Sequence, residues 1–218
     1  MTATTYSSDV PIARTEPTVA VRRRTIDSLL TAGGAVFAVV LFIAGGLLMW
    51  GSNFAEDYVY DELSSQNIVF PPAAALEEEG RTDLVQYADE TVDTGTEAEA
   101  YASFIDGHLA NVAEGQTYAD LGAPEREANA AVEEATASGA PADEVAALEA
   151  DAATITGQRN TLFKGETLRG LLLSAFAWST VGRIAGIAAW AAFAAGAVMV
   201  VLVGMGVRHH HKVVTNER

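Results

Sequence analysis

The sequence predicts an all-α membrane protein with two transmembrane helices that extend outside the membrane as a helical stalk. A small, acidic, helical domain is expected between them. Two observations predict this class: two long uncharged apolar runs, and acidic residues concentrated in the segment that separates them. Of the 218 residues 50% are hydrophobic, yet the formal net charge is −16. Apolar and acidic residues therefore occupy different parts of the chain.

The two uncharged runs cover residues 28–50 and 184–207. At a rise of about 1.5 Å per residue each run extends about 35 Å, which is enough for a hydrocarbon core of roughly 30 Å. The first run is too long for the apolar part of a cleaved signal peptide, so we expect it to remain as a membrane anchor.

Positive charges flank the two runs on the sides that face the chain termini. Three arginines at 22–24 precede the first run, and Arg208 and Lys212 follow the second. Because cytoplasmic flanks are enriched in Lys and Arg, both tails are predicted to be cytoplasmic, in a multi-pass protein of the plasma membrane. The predicted division is a cytoplasmic tail (1–25), a transmembrane helix (26–50), an extracytoplasmic domain (51–183), a second transmembrane helix (184–207) and a second cytoplasmic tail (208–218).

The segment between the runs is strongly acidic, with 25 acidic and five basic side chains in residues 51–181. An apolar stripe at helical spacing predicts that the first helix continues outward until Pro71 and Pro72 end it. The stripe consists of Ala55, Val59, Leu63 and Phe70.

A short helix is predicted near 83–89, and a capping box from Thr96 to Glu99 predicts the start of the core helix of the domain. The apolar positions of that helix are Tyr101, Phe104, Ile105, His108, Leu109 and Val112. Residues 124–151 are mostly Ala and Glu, which predicts an exposed helical hairpin or partial disorder.

Two further sets of residues are predicted to pack helices together. An amphipathic helix at about 165–181 should pack on the extension of the first span through Leu168, Leu171, Leu172 and Phe176. Small residues allow close approach of membrane helices, although Ala and Gly are also simply abundant in this chain. The predicted helix-packing positions are Gly34, Ala38, Gly45, Gly182, Ala185, Gly186, Ala189, Ala192 and Gly196.

Three stretches of the chain, residues 97–109, 115–118 and 161–173, resemble a family of small actinobacterial two-span membrane proteins of unknown function. The resemblance extends from Arg22 to about Arg208, and residues 127–151 look like an insertion. Members of this family are often labelled aromatic ring-opening dioxygenases. The resemblance implies the same two-span architecture for this chain.

The residues themselves do not provide dioxygenase chemistry. Extradiol ring opening needs an iron held by two histidines and a carboxylate, whereas the outer segment has a single histidine, His108. Its place on the apolar stripe predicts a packed core histidine. The other three, His209, His210 and His211, fit a basic segment beside anionic lipid. We therefore predict no catalytic residues, no cofactor and no metal.

These observations favour a non-enzymatic accessory or interaction subunit of a larger membrane complex in a bacterial cell envelope. The alternatives are an extracytoplasmic domain that senses a cation or ligand, and an envelope enzyme without a recognisable motif. The expected partners are the lipid bilayer and other membrane or envelope proteins, or a second copy in a homo-oligomer. Nucleic acid is not expected, because a net charge of −16 opposes phosphate binding.

Overall fold

The structure, a computed structural model, describes the backbone of residues 23–216 and the side chains of residues 25–208. Within these residues all regular structure is helical, and a single bridge between Val69 and Thr91 forms no strand. The predicted all-α class is therefore confirmed. The elements are α1 (Arg23–Ser64), α2 (Ala73–Glu78), a 3₁₀ helix (Thr82–Tyr87), α3 (Gly95–Leu109), a 3₁₀ helix (Val112–Gly115), α4 (Gly122–Ser138) and α5 (Ala142–Asn216).

Helices α1 and α5 are each long and apolar enough to cross a membrane, with a mean hydropathy of 2.3 in their most apolar windows. The two predicted long apolar helices are therefore present. Residues 1–22 of the predicted first tail and the side chains of His209, His210 and His211 lie outside the described part of the chain.

The chain divides into two compact units. Of the described residues, the first unit contains those up to Ile43 together with those from Ala192 onward, and the second contains residues 44–191. In the first unit, Ala38 is buried and the rings of Phe42 and Phe193 lie 6.2 Å apart.

The core of the second unit gathers apolar side chains from three helices and from the loops between them. The residues of the predicted stripe, Ala55, Val59, Leu63 and Phe70, are all buried. The main cluster consists of Val59, Leu63, Phe70, Val92, Ala98, Ala102 and Leu172. It joins the end of α1 to α3 and to the middle of α5.

Helix α1 ends at Ser64, earlier than the predicted stop at Pro71 and Pro72. The Ser65 hydroxyl donates to the Glu62 carbonyl at 2.9 Å, and Asn67 has a φ of 51°. Serine and asparagine offer the backbone alternatives to the helix ladder, so the helix unwinds before the prolines are reached. Phe70 therefore enters the core from a loop.

The capping box of α3 begins at Thr94, two residues before the predicted Thr96. The Thr94 hydroxyl accepts from the Glu97 N–H at 3.3 Å, and Glu97 Oε2 accepts from the N–H groups of Asp93 and Thr94 at 2.9 Å each. Burial raises the pKa of Glu97, but hydrogen bonds from the backbone N–H groups of Asp93 and Thr94 and from the side chains of the same two residues together lower it below its ordinary value. The sequence around Thr96 offers the same residue types, and only the backbone geometry distinguishes the two boxes.

Two turns complete the second unit. Gly139, with a φ of 71°, ends α4 and separates it from α5, so the Ala- and Glu-rich residues form a helical hairpin. Between α3 and α4, Ala113, Glu114 and Gly115 have φ values of 49°, 57° and 80°, which makes three consecutive left-handed residues.

Candidate functional site

The small residues of the second unit lie at a close approach of α1 and α5. A methyl group added at Gly182 would lie 2.9 Å from the Ala55 Cβ atom and 3.3 Å from the Ser52 carbonyl oxygen. One added at Gly186 would lie 2.8 Å from Ser52 Oγ. Ser52 itself is buried, and Ala189 is completely buried. The partners Ser52 and Ala55 were not predicted as part of a small-residue contact.

The first unit has a similar contact between the same two helices. A methyl group added at Gly196 would lie 3.1 Å from the Phe42 ring, and one added at Gly34 would lie 3.0 Å from Val203. All nine predicted helix-packing positions are buried or half-buried, namely Gly34, Ala38, Gly45, Gly182, Ala185, Gly186, Ala189, Ala192 and Gly196.

The four predicted stalk residues do not share one environment. Leu172 is 2% exposed and belongs to the core, and Phe176 is half-buried. Leu168 and Leu171 are 39% and 65% exposed, so less of their surface than of Leu172 is covered within the protein. Successive helix residues point about 100° apart, so a side chain next to Leu172 in sequence leaves the core face.

Leu168 and Leu171 instead line a groove of about 250 Å³ on the surface of the second unit. We call this feature the apolar groove. Its floor contains the buried Val59, Leu63 and Leu172. Its sides are formed by Tyr58, Leu168, Leu171 and Trp178, and its polar residues are Glu62, Gln66 and Ser174.

A row of stacked aromatic rings on α1 leads to the apolar groove. Trp50 and Phe54 have ring centroids 5.8 Å apart, and Phe54 and Tyr58 have centroids 6.3 Å apart. The three rings are 68%, 56% and 49% exposed. We call them the aromatic row. It connects Trp50, at the end of the first uncharged run, with Tyr58 in the groove.

His108 is exposed at the surface, and the prediction of a packed core histidine is wrong. Its Nδ1 atom lies 3.1 Å from the Phe104 carbonyl oxygen, and its Nε2 atom lies 3.4 Å from Glu79 Oε2. Among the described side chains, no group of three or more His, Cys, Asp or Glu residues is placed to hold a metal ion. His108 therefore has a surface contact with one carboxylate.

Arg159 connects α5 to the first turn of α4 and to the segment that precedes it. It donates to the Tyr118 carbonyl at 3.3 Å and pairs with Glu125, and its guanidinium lies 4.1 Å from the centre of the Tyr118 ring. Hydrogen bonds from Thr156 and Arg159 lower the pKa of Glu125. Sequence spacing could not identify this contact, because 34 residues separate Arg159 from Glu125.

Comparison of the chain with known protein families, curated proteins and solved structures found no match. The described residues expose large apolar side chains in the apolar groove, in the aromatic row and along α1 and α5.

Proposed function

We propose that this protein is an integral membrane protein that crosses the membrane twice and acts as a non-enzymatic accessory subunit of a larger membrane complex of the bacterial cell envelope. The observation that carries the proposal is the exposure of the two long apolar helices. Only 11% of the most apolar window of each helix is buried within the protein. A core helix of a soluble protein would be mostly buried, whereas a membrane helix exposes apolar side chains to lipid.

The flanking charges support an orientation with both termini in the cytoplasm. The arginines at 22–24, Arg208 and Lys212 would lie on the cytoplasmic side, where Lys and Arg are enriched. The acidic segment of residues 51–183 would then form the extracytoplasmic part. Trp50 and Trp178, both at least half exposed, would lie near the outer interface, a position that suits indole rings.

The accessory role is supported by the kind of surface that this segment offers. Its apolar groove has hydrophobic sides and one carboxylate, Glu62, which is suited to binding rather than to acid–base catalysis by a carboxylate pair. Phe54 and Tyr58 of the aromatic row extend this apolar surface beyond the predicted span, and exposed apolar patches outside the membrane are typical of interaction sites. We infer that the partner is another membrane or envelope protein.

The membrane topology can be tested with single cysteines, because the chain has no cysteine of its own. A cysteine at Ser138 should react with a membrane-impermeant thiol reagent on intact cells whose outer layer is permeable. Cysteines at Ser8 and Thr215 should react only after the membrane is disrupted. Labelling of either tail on intact cells would contradict the orientation.

The accessory role requires a separate test. The full chain should be purified from native membranes in a mild detergent and its mass measured by light scattering. A stable complex with a stoichiometric membrane protein is expected. Recovery of a monomer without a companion, from membranes in which the protein is abundant, would contradict the accessory role.

A further inference from the structure

We infer that the apolar groove binds a juxtamembrane helix of a partner membrane protein, and that this helix presents apolar side chains to the groove and a Lys or Arg to Glu62. The inference rests on the proposed accessory function and specifies its contact site. Three features of the second unit lead to it: the shape of the groove, the charge around it and the aromatic row that reaches it.

The groove contains large apolar side chains that remain exposed and are not part of the core. Leu171 and Trp178 are 65% and 50% exposed, while Leu172 beneath them fills the core. Apolar surface gains about 25 cal/mol for each Å² removed from water, so covering this surface favours association. An amphipathic helix fits such a groove through apolar residues spaced three and four apart.

The charge of the groove selects among apolar occupants. Within the described part of the chain, no Lys or Arg lies within 4.0 Å of the Glu62 carboxylate. Residues 51–181 carry 25 acidic and five basic side chains, so a second copy would be repelled and a basic partner attracted. Tyr58 and Trp178 in the same groove add ring faces to which a guanidinium or ammonium group is attracted.

The aromatic row indicates the side from which the occupant comes. Trp50, Phe54 and Tyr58 form an uninterrupted exposed stack from the end of the uncharged run into the groove. In the proposed topology this row rises from the outer membrane interface. A helix that leaves the membrane beside α1 can therefore cover the aromatic row and the apolar groove together. A small soluble ligand would occupy the groove alone and leave the aromatic row exposed.

The test is site-specific photo-crosslinking in native membranes with the full chain. A photoreactive residue at Leu171 reports on the groove, and one at Ile187, which is 68% exposed, reports on the apolar window of α5. We expect the Leu171 probe to form an adduct with one membrane protein. Peptide mapping should place the adduct next to an apolar span of that protein, in a segment that contains Lys or Arg.

The charge requirement has a matched control in adjacent residues. Glu62→Lys and Asp61→Lys change the net charge equally, both residues are exposed, and only Glu62 lines the groove. Glu62→Lys should lower the adduct yield about fivefold, and reversal of the basic residue in the partner segment to Glu should restore it. Asp61→Lys should leave the yield within about twofold of the unchanged protein.

Each other outcome is informative. An adduct with a second copy, an adduct with lipid alone, or equal losses from Asp61→Lys and Glu62→Lys would overturn the inference. Adducts from Ile187 without adducts from Leu171 would also overturn it but would leave the accessory function standing. Absence of protein adducts from both positions would count against the accessory function itself.

Discussion

Replacement of Leu172 by alanine should destabilise the second unit far more than the same replacement at Leu171. Leu172 is 2% exposed and belongs to the core cluster with Val59, Phe70 and Ala102. The change removes three carbon atoms, which corresponds to about 2.4 kcal/mol of transfer free energy at about 0.8 kcal/mol each. The cavity left behind raises the expected cost to about 2.7 to 5 kcal/mol. Leu171 is 65% exposed, so about a third of the transfer term applies there, or roughly 0.8 kcal/mol.

Amide hydrogen exchange of the full chain in detergent, followed by mass spectrometry, measures this difference locally. Peptides from α3, which packs against Leu172, should exchange about 30-fold or more faster in Leu172→Ala, because each 1.4 kcal/mol corresponds to about tenfold. In Leu171→Ala the same peptides should change by less than about fivefold. Equal acceleration in the two variants would refute the assignment of Leu172 to the core and of Leu171 to the surface.

Three further changes test other contacts by the same exchange measurement. Gly182→Ala should destabilise the second unit by about 1 to 3 kcal/mol through overpacking. Gly170→Ala places its methyl group in open space and should stabilise the unit by up to about 1 kcal/mol. Stability changes of the same sign in both variants would contradict the close approach of α1 and α5. Arg159→Ala should speed exchange in residues 117–125 at a cost of about 1 to 3 kcal/mol, and unchanged exchange there would refute the contact. Folding lowers the pKa of Glu97, so its carboxylate stabilises the second unit at neutral pH, and this stabilisation is lost as the pH falls below 4.5. Glu97→Gln should therefore lower the stability at pH 7 more than at pH 3. A difference in stability between the two proteins that stays constant from pH 7 to pH 3 would contradict this role.

The helical class was predictable because it depends on patterns that persist over many residues. Two long uncharged runs and the apolar stripe at Ala55, Val59 and Leu63 each repeat one simple period, and the structure buries that stripe. The continuation of the second run into one helix that begins at Ala142 was only partly predicted, since Ala and Glu favour helix without indicating what they pack against.

Features that depend on tertiary contacts could not be predicted in the same way. His108 belongs to an apolar stripe in the sequence, but only part of the surface of α3 is buried against the core. The histidine lies on the exposed part, beside Glu79. Leu171 and Leu172 are the same residue type and are adjacent in sequence. Their exposure differs because only Leu172 lies on the side of α5 that α1 approaches. The groove results from that direction, so residue type alone does not reveal it.

The three left-handed residues between α3 and α4 also bear on how relatives of this chain can be recognised. Ala113 and Glu114 have φ values of 49° and 57°, a conformation in which most residues lose roughly 1 to 2 kcal/mol and in which Gly, Asn or Asp is favoured. This chain tolerates Ala and Glu at two of the three positions, so a homologous chain with the same turn would gain stability from Gly, Asn or Asp there and should avoid β-branched residues. A sequence search could therefore look for a capped helix, then a left-handed turn of this kind, then a basic residue equivalent to Arg159. Such a search would detect homologous chains whose overall sequence identity to this chain is low.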